Sequence, residues 1–463
     1  MRALAGAGCV ALALAASHAK ADPLDVPHRP SIMFNRWQED WSVLADPRVE
    51  RQPLDSLKYI PLSGGGPHAY LSLGADLRER FEANDAVNFG VGGIKPQSYV
   101  ISRLEAHADL RINDWLQAFV QLQSDFAPGK STLTPVDQNR LDLEQAFVTI
   151  NRPLARGLLR LRAGRQQIAF DLQRFISVRD GPNVRQSFDA IWADYETDPW
   201  RFTSFYSQPV QNRDIRAFDD FSNQHLTYGG ARVERKLDAI GELSATLSQF
   251  KQDRARFPSI VGNERRDNLD VHLAGATAGF DWDAETMGQV GRIAQERIRA
   301  WYVGSRLGYT FSAPWSPRLG LQFDVASGDN NPHDGTLNTF NPLFPIGYYV
   351  TLAGYNGITN FVHLKPSITV KPTPTVTTML AVAAQWRETT ADAVFTQPDI
   401  PVPGTAGRGG AYTGTYVQGR VDWQIAPQVS AAIEAVHFAV ADSIREAGGH
   451  DGNYLGLESK VGW

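Results

Sequence analysis

Cysteine is almost missing from the 463-residue chain: Cys9 alone is present, and it falls inside an amino-terminal leader. Met1-Arg2, an Ala/Leu/Val/Gly run from Ala3 to Ala16, and Ala19-Lys20-Ala21 before Asp22-Pro23 read as a signal peptide cleaved after Ala21. The other reading of Gly6-Ala7-Gly8-Cys9, a lipoprotein box, leaves only eight residues before Cys9, too few for a hydrophobic region. The expected mature chain therefore has neither disulfides nor thiol catalysis. No later stretch reaches the roughly 20 consecutive apolar residues of a membrane helix, which excludes helical spans but not strands. A net charge of -5 excludes a globally basic nucleic-acid binder. Catalytic patterns are missing too. Gly304-Ser305-Arg306 lacks the flanks of a nucleophile elbow, Gly275 to Gly279 centres on Thr277, and no histidine pair has the His-x-x-x-His spacing. The expectation is a protein that is not an enzyme; the remaining catalytic reading is a barrel hydrolase with Ser and His at the membrane rim.

What the chain does have is alternation. In residues 98 to 112, Arg103, Glu105, His107, Asp109 and Arg111 share one face of a strand, and Leu104, Ala106, Ala108, Leu110 and Ile112 the other. The pattern recurs near 70–82, 98–112, 115–125, 141–150, 158–168, 187–196, 200–207, 225–236, 240–251, 267–281, 284–293, 296–311, 317–326, 358–371, 374–387, 412–425, 428–440 and 452–463. Eighteen segments predict an all-β fold, a transmembrane antiparallel barrel with lipid outside and a wet lumen. Short joints (Asn113-Asp114, Asp198-Pro199, Ala426-Pro427) alternate with long ones (126–140, 169–186, 208–224, 327–357, 388–411), as tight periplasmic turns alternate with external loops. Trp115, Trp192, Trp200, Tyr206, Trp301, Tyr302, Trp386 and Trp423 fall near strand ends, where aromatic girdles sit. The last segment ends on Trp463, an aromatic of the kind familiar in substrates of the outer-membrane assembly machinery. Three regions follow: a signal peptide at 1–21, an irregular arm at 22–69 that packs under the periplasmic opening or in the lumen, and the barrel at 70–463. The expected location is the bacterial outer membrane.

Sorting strands by face gives a lumen inventory: Asp76, Arg78 and Arg80; Arg103, Glu105, His107, Asp109 and Arg111; Arg160 and Arg162; Arg232 with Glu234; Arg306; Asp324; and Arg420 with Asp422. Arginine at the lipid midplane costs roughly 2 to 4 kcal/mol, so these residues line water or pair with one another. One reading is a ladder of cross-strand ion pairs bracing the wall. The other is an electropositive conduit, because rings of arginine select anions, with nearby acids keeping the ligand from being trapped. Only nine of the 45 cationic side chains are lysine. Arginine presents a rigid fork matched to carboxylates, although a bias toward arginine codons gives the same excess.

The densest cluster is Gly164-Arg165-Gln166-Gln167 followed by Arg174, Arg179-Asp180-Gly181-Pro182-Asn183-Val184-Arg185 and Asp189. Folded into the lumen, this loop would gather Arg165, Arg174, Arg179 and Arg185 with Asp180 and Asp189 as a constriction; otherwise it is a solvated external loop. The stretch from Gly164 to Asp189, with Arg36-Trp37-Gln38-Glu39-Asp40-Trp41, Lys58-Tyr59-Ile60-Pro61-Leu62 and Ser327-Gly328-Asp329 leading into Phe340-Asn341-Pro342-Leu343-Phe344-Pro345, resembles the alginate export family of outer-membrane barrels. The resemblance spans nearly the whole mature chain and is to the broad family, not to the alginate exporter itself. It implies an eighteen-stranded barrel with an arginine-lined channel, used in the type member to pass a polyuronate.

No cofactor is expected. Asp329, Asn331 and Asp334 are weak calcium candidates on an external loop, lacking a glutamate at the helix-loop-helix spacing. The functional expectation is an outer-membrane channel exporting an anionic, alginate-like polysaccharide by electrostatic selection. The alternative is a general anion-preferring uptake porin for acidic sugars or organic acids. Expected partners are the anionic saccharide, outer-membrane lipid, the assembly machinery and periplasmic polysaccharide-handling proteins, with no nucleic acid.

Overall fold

The computed structural model describes residues 28–463. The expected signal peptide and Cys9 lie outside the described residues. Eighteen long strands form one sheet: β1 (Tyr70–Asn84), β2 (Gln97–Arg111), β3 (Leu116–Phe126), β4 (Asn139–Leu154), β5 (Gly157–Gln166), β6 (Phe188–Thr197), β7 (Trp200–Gln211), β8 (Leu226–Leu237) and β9 (Gly241–Arg256). They continue with β10 (Val261–Thr277), β11 (Phe280–Ile293), β12 (Glu296–Thr310), β13 (Arg318–Ala326), β14 (Phe361–Thr373), β15 (Val376–Trp386), β16 (Tyr412–Ala426), β17 (Val429–Val440) and β18 (Gly452–Gly462). Each pairs antiparallel with its sequence neighbours, and β1 pairs with β18 from Asp76↔Gly462 to Asn84↔Tyr454, closing the barrel.

Closure leaves no sheet edge, so every strand must satisfy lipid on one face and the lumen on the other. On β2 the two faces separate cleanly: Arg103 is 1% and Asp109 2% exposed, whereas Leu104 is 47% exposed. Leu269 and Ile433 extend the same apolar belt around the wall. The girdle expectation holds for Trp200, Tyr206, Trp301 and Trp423, which are exposed. It fails for Trp192 and Tyr302, whose positions put them on the inner face: Trp192 stacks with Phe170 and Phe205, and Tyr302 is fully buried against Phe175 and Phe340.

Most short turns lie at one end. Between β10 and β11 two residues suffice, Ala278 (φ 48°) and Gly279 (φ 89°), the pair of positive φ values that a tight hairpin with right-handed twist demands. Long connections lie at the other end, with two exceptions, the first being β11 and β12, joined by Ala294-Gln295 alone. Residues 252–266, which lie outside the eighteen expected segments, are mostly strand, because β9 and β10 run on and are joined by only four residues, 257–260. Lys251, Asp253, Arg254 and Arg265 are exposed there, while Glu264 and Arg266 are buried. Polar residues occupy both faces, so the alternation that marks a membrane-embedded strand disappears.

Segments from both ends enter the barrel. From the long-loop end, residues 167–187 and 327–360 meet at a backbone bridge between Ile176 and Phe344 and share an aromatic core of Phe175, Phe188, Tyr302, Phe340 and Phe344. From the short-turn end, arm residues 28–69, with short 3-10 turns at Arg36–Gln38 and Trp41–Ala45, pack against the inner wall. Trp41 and Leu44 pack on Tyr70. Trp37 lies edge-on to Phe147 at 5.9 Å, under the Arg162 guanidinium at 3.7 Å.

Candidate functional site

The loop 167–187 leaves the wall at β5 and crosses to β1 and β2, carrying Asp180 to a cluster of arginines. Arg103 places Nη1 2.6 Å from Asp180 Oδ1, and donates through Nε to the Asn183 carbonyl at 2.8 Å and through Nη2 to that of Pro182 at 2.9 Å. Arg78 donates to the Asp180 and Gly181 carbonyls at 2.6 and 3.1 Å and pairs with Glu458 at 3.0 Å. Arg185 joins Asp180 at 2.8 Å to Glu105 at 2.6 Å, and its guanidinium lies 4.5 Å over the ring of Phe34 from the arm. The arm and the loop therefore touch inside the lumen.

The expected gathering of four arginines is only partly what this loop does. Arg185 and Asp180 come together, but Arg165 stays at the wall on Asp189 (3.0 Å), and Arg174 turns the opposite way. Arg174 is fully buried and pairs with Asp283 and Glu285 of β11 at 2.6 Å each, while Tyr349 of the second loop accepts from its Nε at 2.6 Å. Among the described residues Arg179 has no carboxylate within 4.0 Å; it faces the Leu343 carbonyl at 3.4 Å and lies over Phe344. Burial pushes its guanidinium down to about 10, so it still carries its charge at neutral pH.

The other wall arginines are largely neutralised, as the ion-pair ladder predicted. Arg80 meets Glu434 at 2.6 Å, Glu82 at 2.8 Å and Glu458 at 3.3 Å. Arg160 bridges Asp194 and Glu196, Arg232 holds Asp171 of the inserted loop at 2.6 Å, and Arg420 pairs with Asp422 and Glu434. Arg111 pairs with Asp109 at 3.2 Å and donates to the Glu39 carbonyl of the arm at 2.8 Å. These pairs brace the wall and pin the inserted segments.

Against this compensated background, Arg162, Arg306 and Lys365 on the inner face have no carboxylate within 4.0 Å among the described residues. Arg162 is stacked on Trp37 and Phe147. Arg306 and Lys365 form a row. Arg306 on β12 is paired in register with Gln322 on β13, which is paired with Lys365 on β14. Arg306 Nε donates to Gln322 Oε1 at 3.1 Å, and Lys365 Nζ to the Val350 carbonyl at 2.9 Å. Lys365 escaped the sequence inventory because a lone lysine on an otherwise apolar and polar strand carries no pattern. Its only available signal is its place on the inward face, two residues from His363.

The calcium candidates do not form one cluster: Asn331 and Asp334 accept from His333 N and Thr336 N as turn residues, while Asp329 is buried beside Asp392.

A family model described as alginate export matches residues 69–458. No curated protein matches the chain. Among solved structures, Pseudomonas aeruginosa OccK2 (OpdF) is similar at a TM-score of 0.55 and 10% identity, with 85% of this chain and 97% of that one covered. Acinetobacter baumannii OccAB1 gives 0.57 and 10%, covering 85% and 96%. P. aeruginosa OpdK, in a structure with vanillate, gives 0.53 and 10%, covering 84% and 99%. At such identities the likeness shows the fold, that of outer-membrane porins. Family and fold locate the protein in the bacterial outer membrane, as a channel. With nearly all of its barrel matched, the chain belongs to the alginate export family.

Proposed function

We propose that this outer-membrane channel selects anionic solutes bearing carboxylates, acidic saccharides among them, without covalent chemistry. The observation that carries the reading is the row Arg306–Gln322–Lys365, two cations and an amide on adjacent strands of the inner wall, with no carboxylate within 4.0 Å of either cation among the described residues and Asp324 held on the Gln322 amide at 2.8 Å. A carboxylate passing the row gains charge-assisted hydrogen bonds, and the paired arginines elsewhere do not compete for it. Replacing Arg306 and Lys365 together by glutamine should move the anion-to-cation permeability ratio, read from reversal potentials in a salt gradient across planar bilayers, several-fold toward unity. An unchanged ratio would remove the row from the mechanism.

Two sizes of substrate fit this chemistry. Export of an alginate-like polyuronate agrees with the family. Uptake of short acidic sugars or organic acids is favoured by the segments that fill the lumen from both ends, and the OpdK neighbour was solved with vanillate, a small carboxylate. Current block by uronate oligomers of increasing length decides between them. Block deepening with chain length supports the exporter, and equal block by monomers supports the porin.

A further inference from the structure

At the head of β2–β4, where the inserted loop touches the wall, four buried side chains carry oxygen atoms without a hydrogen-bond partner. Asp125 is 0% exposed, and neither of its carboxylate oxygens has a hydrogen-bond partner. Asn139 stands directly across from it in the β3–β4 register, Gln123 lies two residues away on the same face, and Asn183 comes from the loop. All three are at least 97% buried, and their amide oxygens have no partner either.

The amides of the two asparagines cannot be turned round. Asn183 Nδ2 faces the carbonyls of Ser102, Phe126 and Asp137 at 3.1, 2.9 and 3.0 Å, all acceptors, so its Oδ1 must point away from them. Asn139 Nδ2 donates to Asp220 Oδ2 at 2.8 Å. Arg103, across from Asp125 in the β2–β3 register, spends four of its five N–H donors on Asn183, Asp180 and Pro182 and lies more than 4.0 Å from the Asp125 carboxylate. A buried water offers two hydrogens, whereas five acceptor atoms are in want of a partner. A hard cation serves all of them at once, since calcium takes six to eight oxygens from carboxylates, amides and water.

We propose that Asp125, Asn139, Asn183 and Gln123 bind a calcium ion that pins the inserted loop to the wall through Asn183. With one carboxylate in the set, affinity is set on the order of 10⁻⁴ to 10⁻³ M, the range of low-charge extracellular sites. The test is calorimetric titration of the whole protein, folded in detergent free of lipopolysaccharide, with calcium chloride, and with magnesium and sodium chloride at matched ionic strength. Limited proteolysis within residues 167–187 is followed in parallel.

Asp125→Asn, which conserves shape, should weaken calcium binding tenfold or more and abolish calcium protection of the loop. Asp219→Asn, in the separate Asp142–Asp219–Asp220 group, should leave both unchanged. Heat-modified mobility on gels verifies that each variant is folded. The proposal is overturned by absence of saturable calcium binding to the wild type, by binding that survives Asp125→Asn but is lost in Asp219→Asn, or by sodium or magnesium saturating the site with no competition from calcium.

Discussion

Replacing Asp180 by asparagine should release the inserted loop while leaving the barrel standing. Asp180 is the carboxylate shared by Arg103 at 2.6 Å, Arg185 at 2.8 Å, and Arg78 and Lys460 at 3.8 Å. Burial opposes its ionisation, but Arg185 and Arg103 outweigh it and hold the carboxyl well below the usual carboxylate range. Breaking one side of a buried ion pair costs about 3 to 5 kcal/mol. The asparagine carbonyl still accepts one bond, and Arg78 and Arg185 retain Glu458 and Glu105, which places the loss near the lower end, about 3 kcal/mol. The eighteen-strand ladder is untouched, so the loss falls on loop docking and shifts the docked-to-undocked ratio about 100-fold. Single-channel recording reads the change as new, larger and longer-lived conductance levels, and protease cleavage within 167–187 should accelerate in step. If both the conductance distribution and the cleavage rate stay within twofold of wild type, Asp180 is not what holds the loop.

Three further outcomes follow from the same geometry. A chain lacking residues 28–58 should fold yet conduct more, because Trp37, Phe34 and the Arg111 contact with the arm leave the lumen; equal conductance in bilayers would show that the arm does not obstruct the path. Burial, with Arg36 next, pushes Lys58 down to about 8 from 10.5, so the docked arm binds fewer protons than the free arm between those values. Docking should therefore strengthen as pH rises from about 8 to 10.5, and Trp41 fluorescence or arm proteolysis that weakens over that window would contradict it. Leu269→Arg, on the lipid face, should cost about 2 to 4 kcal/mol in folding titrations into bilayers if it lies near the midplane, and a neutral result would mean that this belt does not face lipid.

The wall was legible in the sequence and its contents were not. Period-two alternation reports the environment on either side of a strand, and lipid against water is the largest contrast available. Arg103, Glu105, His107 and Asp109 therefore announced their buried inner face, and the number of strands followed. Where β9 and β10 extend into water on both faces the contrast vanishes, and residues 252–266 fall outside the expected segments. Within the loop 167–187 no periodicity exists, so Arg174 and Arg179, five residues apart, looked equivalent. One is matched to two acids on β11 and the other faces a carbonyl and a ring, because each partner comes from a segment distant in sequence. Pairing is a property of the path of the loop. Lys365 shows the converse: what singles it out is that no carboxylate among the described residues comes within 4.0 Å of it, which only the assembled wall reveals.

The arm's anchor carries an implication for the order of assembly. Arg36 donates to the backbone oxygen of Trp463 and lies 3.5 Å from Asp76 of β1, and Trp463 is itself bonded to Ala75 of β1 across the seam. Its receptor is therefore composed of the first strand and the residue following the last, and does not exist until those two meet. A barrel halted with its seam open would leave Arg36 without its Trp463 partner, while Trp37 and Trp41 keep their contacts with β4, β5 and β1, so of the arm's anchors this one reports a closed cylinder.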